Sequence, residues 1–120
     1  MSAKKQKLET ILLGIEQNCE VDGAALVSNK GQIMCSALHA DVDEKAVAAM
    51  AAALTSIGGR VGTVLNSGIP KGIIVDGTEK MVILRQVESA VLITTAPADA
   101  KVGLIDFELD SASQKIANVL

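Results

Sequence analysis

The chain has 120 residues, 49% of them hydrophobic, with a formal net charge of −3 and a pI of about 5.0. One Phe and no Tyr or Trp leave no aromatic platform for stacking bases, and the acidic balance argues against a nucleic-acid surface. This length predicts one domain, 1–120, able to bury about two-thirds of its unfolded surface.

The first residues, Met1 to Lys7, are basic, but Glu9 and Glu16 follow too soon for the apolar core of a signal peptide. No run approaches the roughly 20 apolar residues of a membrane span. The expectation is a cytoplasmic protein with Cys19 and Cys35 reduced. Ala3 to Cys19 places Leu8, Ile11, Leu12, Ile15 and Cys19 on one face, which predicts an amphipathic helix ended by Asp22-Gly23. Ala24 to Ser28 and Gln32 to Ser36 read as a hairpin around Asn29-Lys30-Gly31. His39 follows in a connector, with no second His and no acid–base partner in view.

Asp43 to Asn66 predicts a long central helix. Asp41 is its expected cap, with Glu44 three residues on, and Asn66-Ser67-Gly68 before Pro70 is its stop. Val47, Met50, Leu54, Ile57, Val61 and Leu65 recur three or four apart and share one stripe. The other side carries Ala48, Ala49, Ala52, Ala53, Thr55, Ser56, Gly59, Arg60 and Thr63. Such small residues let a second backbone come close, so this side reads as a surface awaiting a second helix, the alternative being burial by neighbours in the same monomer. Gly58-Gly59 lowers helix propensity and marks a potential kink.

Three apolar runs follow: Ile69 to Val75 before Asp76-Gly77, Lys80 to Val87 before Glu88-Ser89, and Ala90 to Ala96 before Pro97. They are continuous rather than alternating, as expected of strands covered on both faces, and their short connections predict an antiparallel meander. Asp99 to Leu120 predicts a last helix capped by Asp99, with Val102, Ile105, Leu109, Ala112, Ile116 and Val119 on its stripe. Leu104 and Phe107 fall off that stripe and read as partly buried against the first helix, while Gly103 reads as a close-packing point. The predicted fold class is α+β. One five-stranded antiparallel sheet, in the order α-β-β-α-β-β-β-α, carries the first and last helices on one face and the long central helix on the other.

Chemistry-bearing groups are few. Gly58-Gly59-Arg60-Val61-Gly62 lies inside a helix pattern and precedes no Lys-Ser or Lys-Thr pair, so it is no phosphate loop. Asp41, Asp43 and Glu44 are explained by capping and the helix dipole. Two Cys and one His fall short of a metal site. Thr94 and Thr95 read as ordinary strand residues, and Arg85 as a strand residue paired with Glu88 or with water. No catalytic residue, cofactor or metal is expected, and the chain reads as no enzyme.

Val21-Asp22-Gly23-Ala24-Ala25-Leu26-Val27-Ser28 leading into Asn29-Lys30-Gly31-Gln32, then Val47-Ala48-Ala49-Met50-Ala51, then Asp99-Ala100-Lys101-Val102-Gly103-Leu104, resemble the roadblock domain family across essentially the whole chain. The resemblance implies a roadblock/profilin-like fold and a homodimer whose third strands pair at an edge, with the two central helices side by side. The residues agree: Gly72-Ile73-Ile74-Val75 is an apolar edge in need of a partner. The resemblance also implies a scaffold or regulator that binds a Ras-like small GTPase. The expected interface residues are Ala49, Ala52, Ala53, Ser56, Arg60, Thr63, Ile73, Ile74 and Val75. Arg60 invites comparison with an arginine finger, although an Arg on a helix is usually solvated or ion-paired. The alternatives are a small-molecule sensor and a dimeric scaffold for a non-GTPase partner.

Overall fold

Residues 3–120 are described by the structure, a computed structural model. In chain order the elements are α1 (Ala3–Asn18), β1 (Gly23–Ser28), β2 (Ile33–Ala37), α2 (Glu44–Val64), β3 (Gly72–Asp76), β4 (Lys80–Val87), β5 (Ala90–Pro97) and α3 (Val102–Val119). The strands form one sheet in the order β2-β1-β5-β4-β3, antiparallel throughout. The expected order, hairpin and meander are all present.

Alternate strand residues feed two cores. On one face Ala24, Leu26, Met81, Ile83 and Leu92 meet Leu8, Leu12 and Ile15 of α1 and Ile105, Leu109 and Ile116 of α3. On the other, Ala25, Val27, Leu84, Val91 and Ile93 meet Ala48 and Ala51 of α2. Covering both faces is what makes the strand runs continuously apolar. Thr94 is the buried polar exception, its Oγ1 donating to the Ile83 carbonyl at 3.1 Å.

Several local expectations are corrected. Asp43, not Asp41, caps α2: its carboxylate accepts from the Ala46 N–H at 3.2 Å, because the helix starts at Glu44. Glu44 accepts from the Ser36 hydroxyl at 2.6 Å, tying the helix start to β2. At α3 a turn closed by the Ala100 N–H on the Pro97 carbonyl delays the helix past Asp99. Lys101 then stands at the cap without a side-chain bond, and Glu20 accepts from its N–H at 3.0 Å. Arg85 pairs with Asp106 and Asp110 of α3 rather than with Glu88, which binds the last helix to β4. α2 runs unbroken through Gly58-Gly59 over 21 residues, long and apolar enough by composition to cross a membrane, contrary to the sequence reading. Here one side of it lies on the sheet.

Asp22 joins three elements. It accepts from the Thr95 hydroxyl at 2.6 Å and pairs with Lys80, so the entry to β1 is tied to β4 and β5. Burial raises its carboxyl, but hydrogen bonds from Lys80 and Thr95 and the attraction of Lys80 and His39 outweigh that and hold it below its ordinary value of 3.8. A depressed folded-state value means stability that is present above pH 3.8 and lost as pH falls through the lower folded value. The gap in thermal midpoint between wild type and Asp22→Asn should therefore be widest near neutral pH and shrink below pH 4, about the unfolded value. A gap that stays constant into that acid range would remove the charge from this account.

Candidate functional site

α2 carries two adjoining rows at helical spacing. Val47, Met50, Leu54, Ile57, Val61 and Leu65 form the large row; Ala48, Ala51, Thr55, Gly58 and Gly62 form a small row beside it. One residue is a turn of 100° at 3.6 residues per turn. The helix sets the small row on the sheet: Ala48, Ala51 and Gly62 are buried, and Gly58 lies against the tip of Ile73. Ala48, expected on the side awaiting a second helix, thus lies on the sheet instead. The strands beneath already supply Val27, Leu84, Val91 and Ile93, and a face that bulky is complemented by small helix residues at close approach.

Consequently the large residues turn outward. Met50 and Ile57 are each 57% exposed, Val61 48%, and Val64 and Leu65 more so, while Val47 and Leu54 are half-buried at the border. Among the expected site residues, Ala49, Ala53, Ser56, Arg60 and Thr63 lie on this outward side. Ala52 is half-buried, close against Gly31 of the β1–β2 turn. Ile73 tucks beneath α2, and Val75 lies on the same face of the sheet but exposed. Ile74, opposite Ile83 in the register, projects to the other face. The structure thus brings five of the nine expected residues together and adds Met50, Ile57, Val61 and Val64, which the sequence reading had put on the opposite stripe or left unremarked. The second three-and-four row of small residues was the signal that pointed to them.

β3 runs beside this surface as an edge strand and pairs with β4 alone among the described residues. A groove of about 370 Å³ between α2 and the β3 approach is lined by Ser56, Gly59, Thr63, Ile69 and Pro70. A second, about 520 Å³, lies between the first half of α2 and the far end of β3, walled by Leu38, Val47, Met50, Leu54, Val82 and Ile93. Lys80 and Thr95 also border it, but both are committed to Asp22, so they offer little to orient a small molecule. His39 is exposed at its rim. Burial pushes the Cys35 thiol up to about 11, and desolvation raises that of Cys19 as well, so neither is a poised nucleophile. What the surface offers is apolar contact on a rigid helix beside an open strand.

Three comparisons bear on this arrangement. The chain is 23% identical over 109 residues to the uncharacterized protein MJ1340 of Methanocaldococcus jannaschii, covering 91% of this chain and 96% of that one. Its fold superposes on Myxococcus xanthus MglB with a TM-score of 0.91 at 16% identity, covering 99% and 91% of the two chains. It superposes on a Roadblock/LC7 domain from Streptomyces avermitilis with a TM-score of 0.84 at 17% identity, covering 91% and 93%. The two structural likenesses are of fold. The family profile of the Roadblock/LC7 domain matches residues 7–96, which take in β1 to β4 and the whole of α2, and the chain belongs to that family.

Proposed function

We propose that the protein is a non-catalytic, homodimeric regulator that binds a Ras-like small GTPase through paired α2 helices. The supporting observation is the row Met50, Ile57, Val61 and Val64, large and apolar yet exposed, beside an unpaired edge strand. An exposed patch of this kind marks a contact surface, and an open apolar edge is a template for pairing. A two-fold axis through β3 answers both needs: it adds strand to strand and lays one α2 beside the other, with one self-complementary patch on each copy. Gly59, with Ala49 and Ala53, leaves room for close approach along the rest of the helix.

The GTPase reading draws its support from the family resemblance together with the free outward side of α2. Arg60 is exposed there and makes no ion pair among the described residues; it serves the contact rather than the hydrolysis. The test is binding to Ras-like GTPases of the same organism, loaded with GDP or with a non-hydrolysable GTP analogue. Binding that favours one nucleotide state, and weakens about tenfold with Arg60→Ala while hydrolysis per bound complex is unchanged, supports a docking role. Loss of hydrolysis at saturating protein would make Arg60 a finger instead. Absence of binding in both states would leave a dimeric scaffold for another partner.

A further inference from the structure

The sheet face opposite α2 has features that the α2 reading does not use. α1 arrives at, and α3 departs from, the same end of the neighbouring strands β1 and β5, where Gly23 pairs with Thr95, so the two helices run antiparallel. Asn18 donating to Glu108 at 3.1 Å holds the end of α1 against the first half of α3. Charge is unevenly spread along this layer. Lys4, Lys7 and Lys115 stand toward one end; Glu16, Glu20, Asp99, Asp106, Glu108 and Asp110 stand toward the other. Glu9 and Lys101 run against the trend, and Arg85 offsets part of Asp106 and Asp110. The acidic end still dominates.

The same layer exposes apolar side chains. Phe107, the chain's single aromatic, is 72% exposed, and Leu104 one turn earlier is 52% exposed. Leu13 on α1 is also outward. The expectation that Leu104 and Phe107 pack on α1 is therefore corrected, and Gly103 has open space rather than a close neighbour. A large aromatic left in water, on the same half of α3 as several carboxylates, is the make-up of an apolar contact with a polar rim.

From this juxtaposition we infer that the α1/α3 layer is a second self-association surface, whose occupant is the same layer of another copy. Half a turn about an axis lying across the helices brings the layer onto itself, reversed end for end. That operation sets each acidic end, with its Leu104 and Phe107, over the lysine-bearing end of the other copy, and so buries both apolar side chains against it. One sign of charge meets the other twice, which selects this register against the unreversed one. The surface lies on the opposite side of the sheet from α2, so it can join α2-linked pairs without covering the face offered to a GTPase.

Sedimentation velocity on the full chain at low and high salt tests this alongside Val61→Asp. Phe107→Ser should weaken one association step by at least about tenfold, and high salt should weaken the same step. Lys4→Glu/Lys7→Glu and Glu16→Lys/Asp99→Lys should each lose that step alone and regain it on mixing. Unchanged association of Phe107→Ser, or swap variants that do not recover together, overturns the inference while leaving the α2 pair intact. Association lost with Phe107→Ser but kept with Val61→Asp upholds this surface and removes the α2 pair instead.

Discussion

Val61→Asp is expected to break the proposed α2 contact, leaving folded chains of 12.4 kDa that associate only through the α1/α3 surface. Val61 is half-exposed on the outward side of α2, with its Cα in the last turns of a helix that the sheet holds by other residues. Within a single chain the change touches no core, so stability should move by no more than about 0.5 kcal/mol, the usual range for surface positions. In the pair the effect is much larger. Burying a Val side chain is worth about 1.5–3 kcal/mol, and a carboxylate set among apolar side chains without a partner costs more than that gain. The two-fold presents the substitution on both copies. A loss of about 3 kcal/mol or more, at roughly 1.4 kcal/mol per tenfold, is at least about a hundredfold in dissociation constant. Sedimentation over a range of concentrations reads this directly, with thermal melting as the control for folding. A variant that sediments as wild type would remove the outward row of α2 from the interface.

Gly62→Ala is expected to destabilise the chain although it replaces glycine by the best helix former. At an ordinary helix position the exchange would gain up to about 1 kcal/mol. At Gly62, however, a β-carbon would fall well inside van der Waals contact with the Gly68 carbonyl oxygen, a backbone atom that no rotamer change can move. The loop returns over the helix there because Asn66 and Gly68 take φ of 58° and 86°, and the Ser67 N–H donates to the Gly62 carbonyl at 2.9 Å. Room for the methyl group requires moving this closure, and overpacking of that kind costs about 1–3 kcal/mol. For a chain of this size the thermal midpoint should fall on the order of 5–10 °C. Gly103→Ala, with nothing near its added β-carbon, should leave the midpoint level or raise it slightly. Equal midpoints for the two variants would mean that the loop is free to yield.

Most of the fold was legible because its signals are local. Hairpin chemistry at Asn29-Lys30-Gly31 and Glu88-Ser89 bounded the strands, and the two-residue turn at Glu88-Ser89 closes Val87 onto Ala90 in the structure. The continuous runs in β4 and β5 announced a sheet covered on both faces. Both helix caps were misplaced by two residues: at α2 Asp41 and Asp43 both precede the helix and spacing alone does not choose between them, and at α3 the turn closed on Pro97 delays the start to Lys101. The pairing of Arg85 with Asp106 and Asp110 joins residues more than 20 apart in the chain, and no local pattern carries it.

The candidate site was half legible for a sharper reason. Periodicity established that α2 is a helix with apolar residues in rows three and four apart, and composition established that its charge is confined to its first turn and Arg60. Which row faces the sheet was not determined, since the large and small rows adjoin and have the same period. That choice depends on the volume already present on the facing strands, where Val27, Leu84, Val91 and Ile93 leave space for Ala48 and Ala51. Packing density is a property of both surfaces together. The sequence by itself therefore determined the elements, their order and the presence of an uncharged central helix; only the tertiary structure decided that its large side chains face outward.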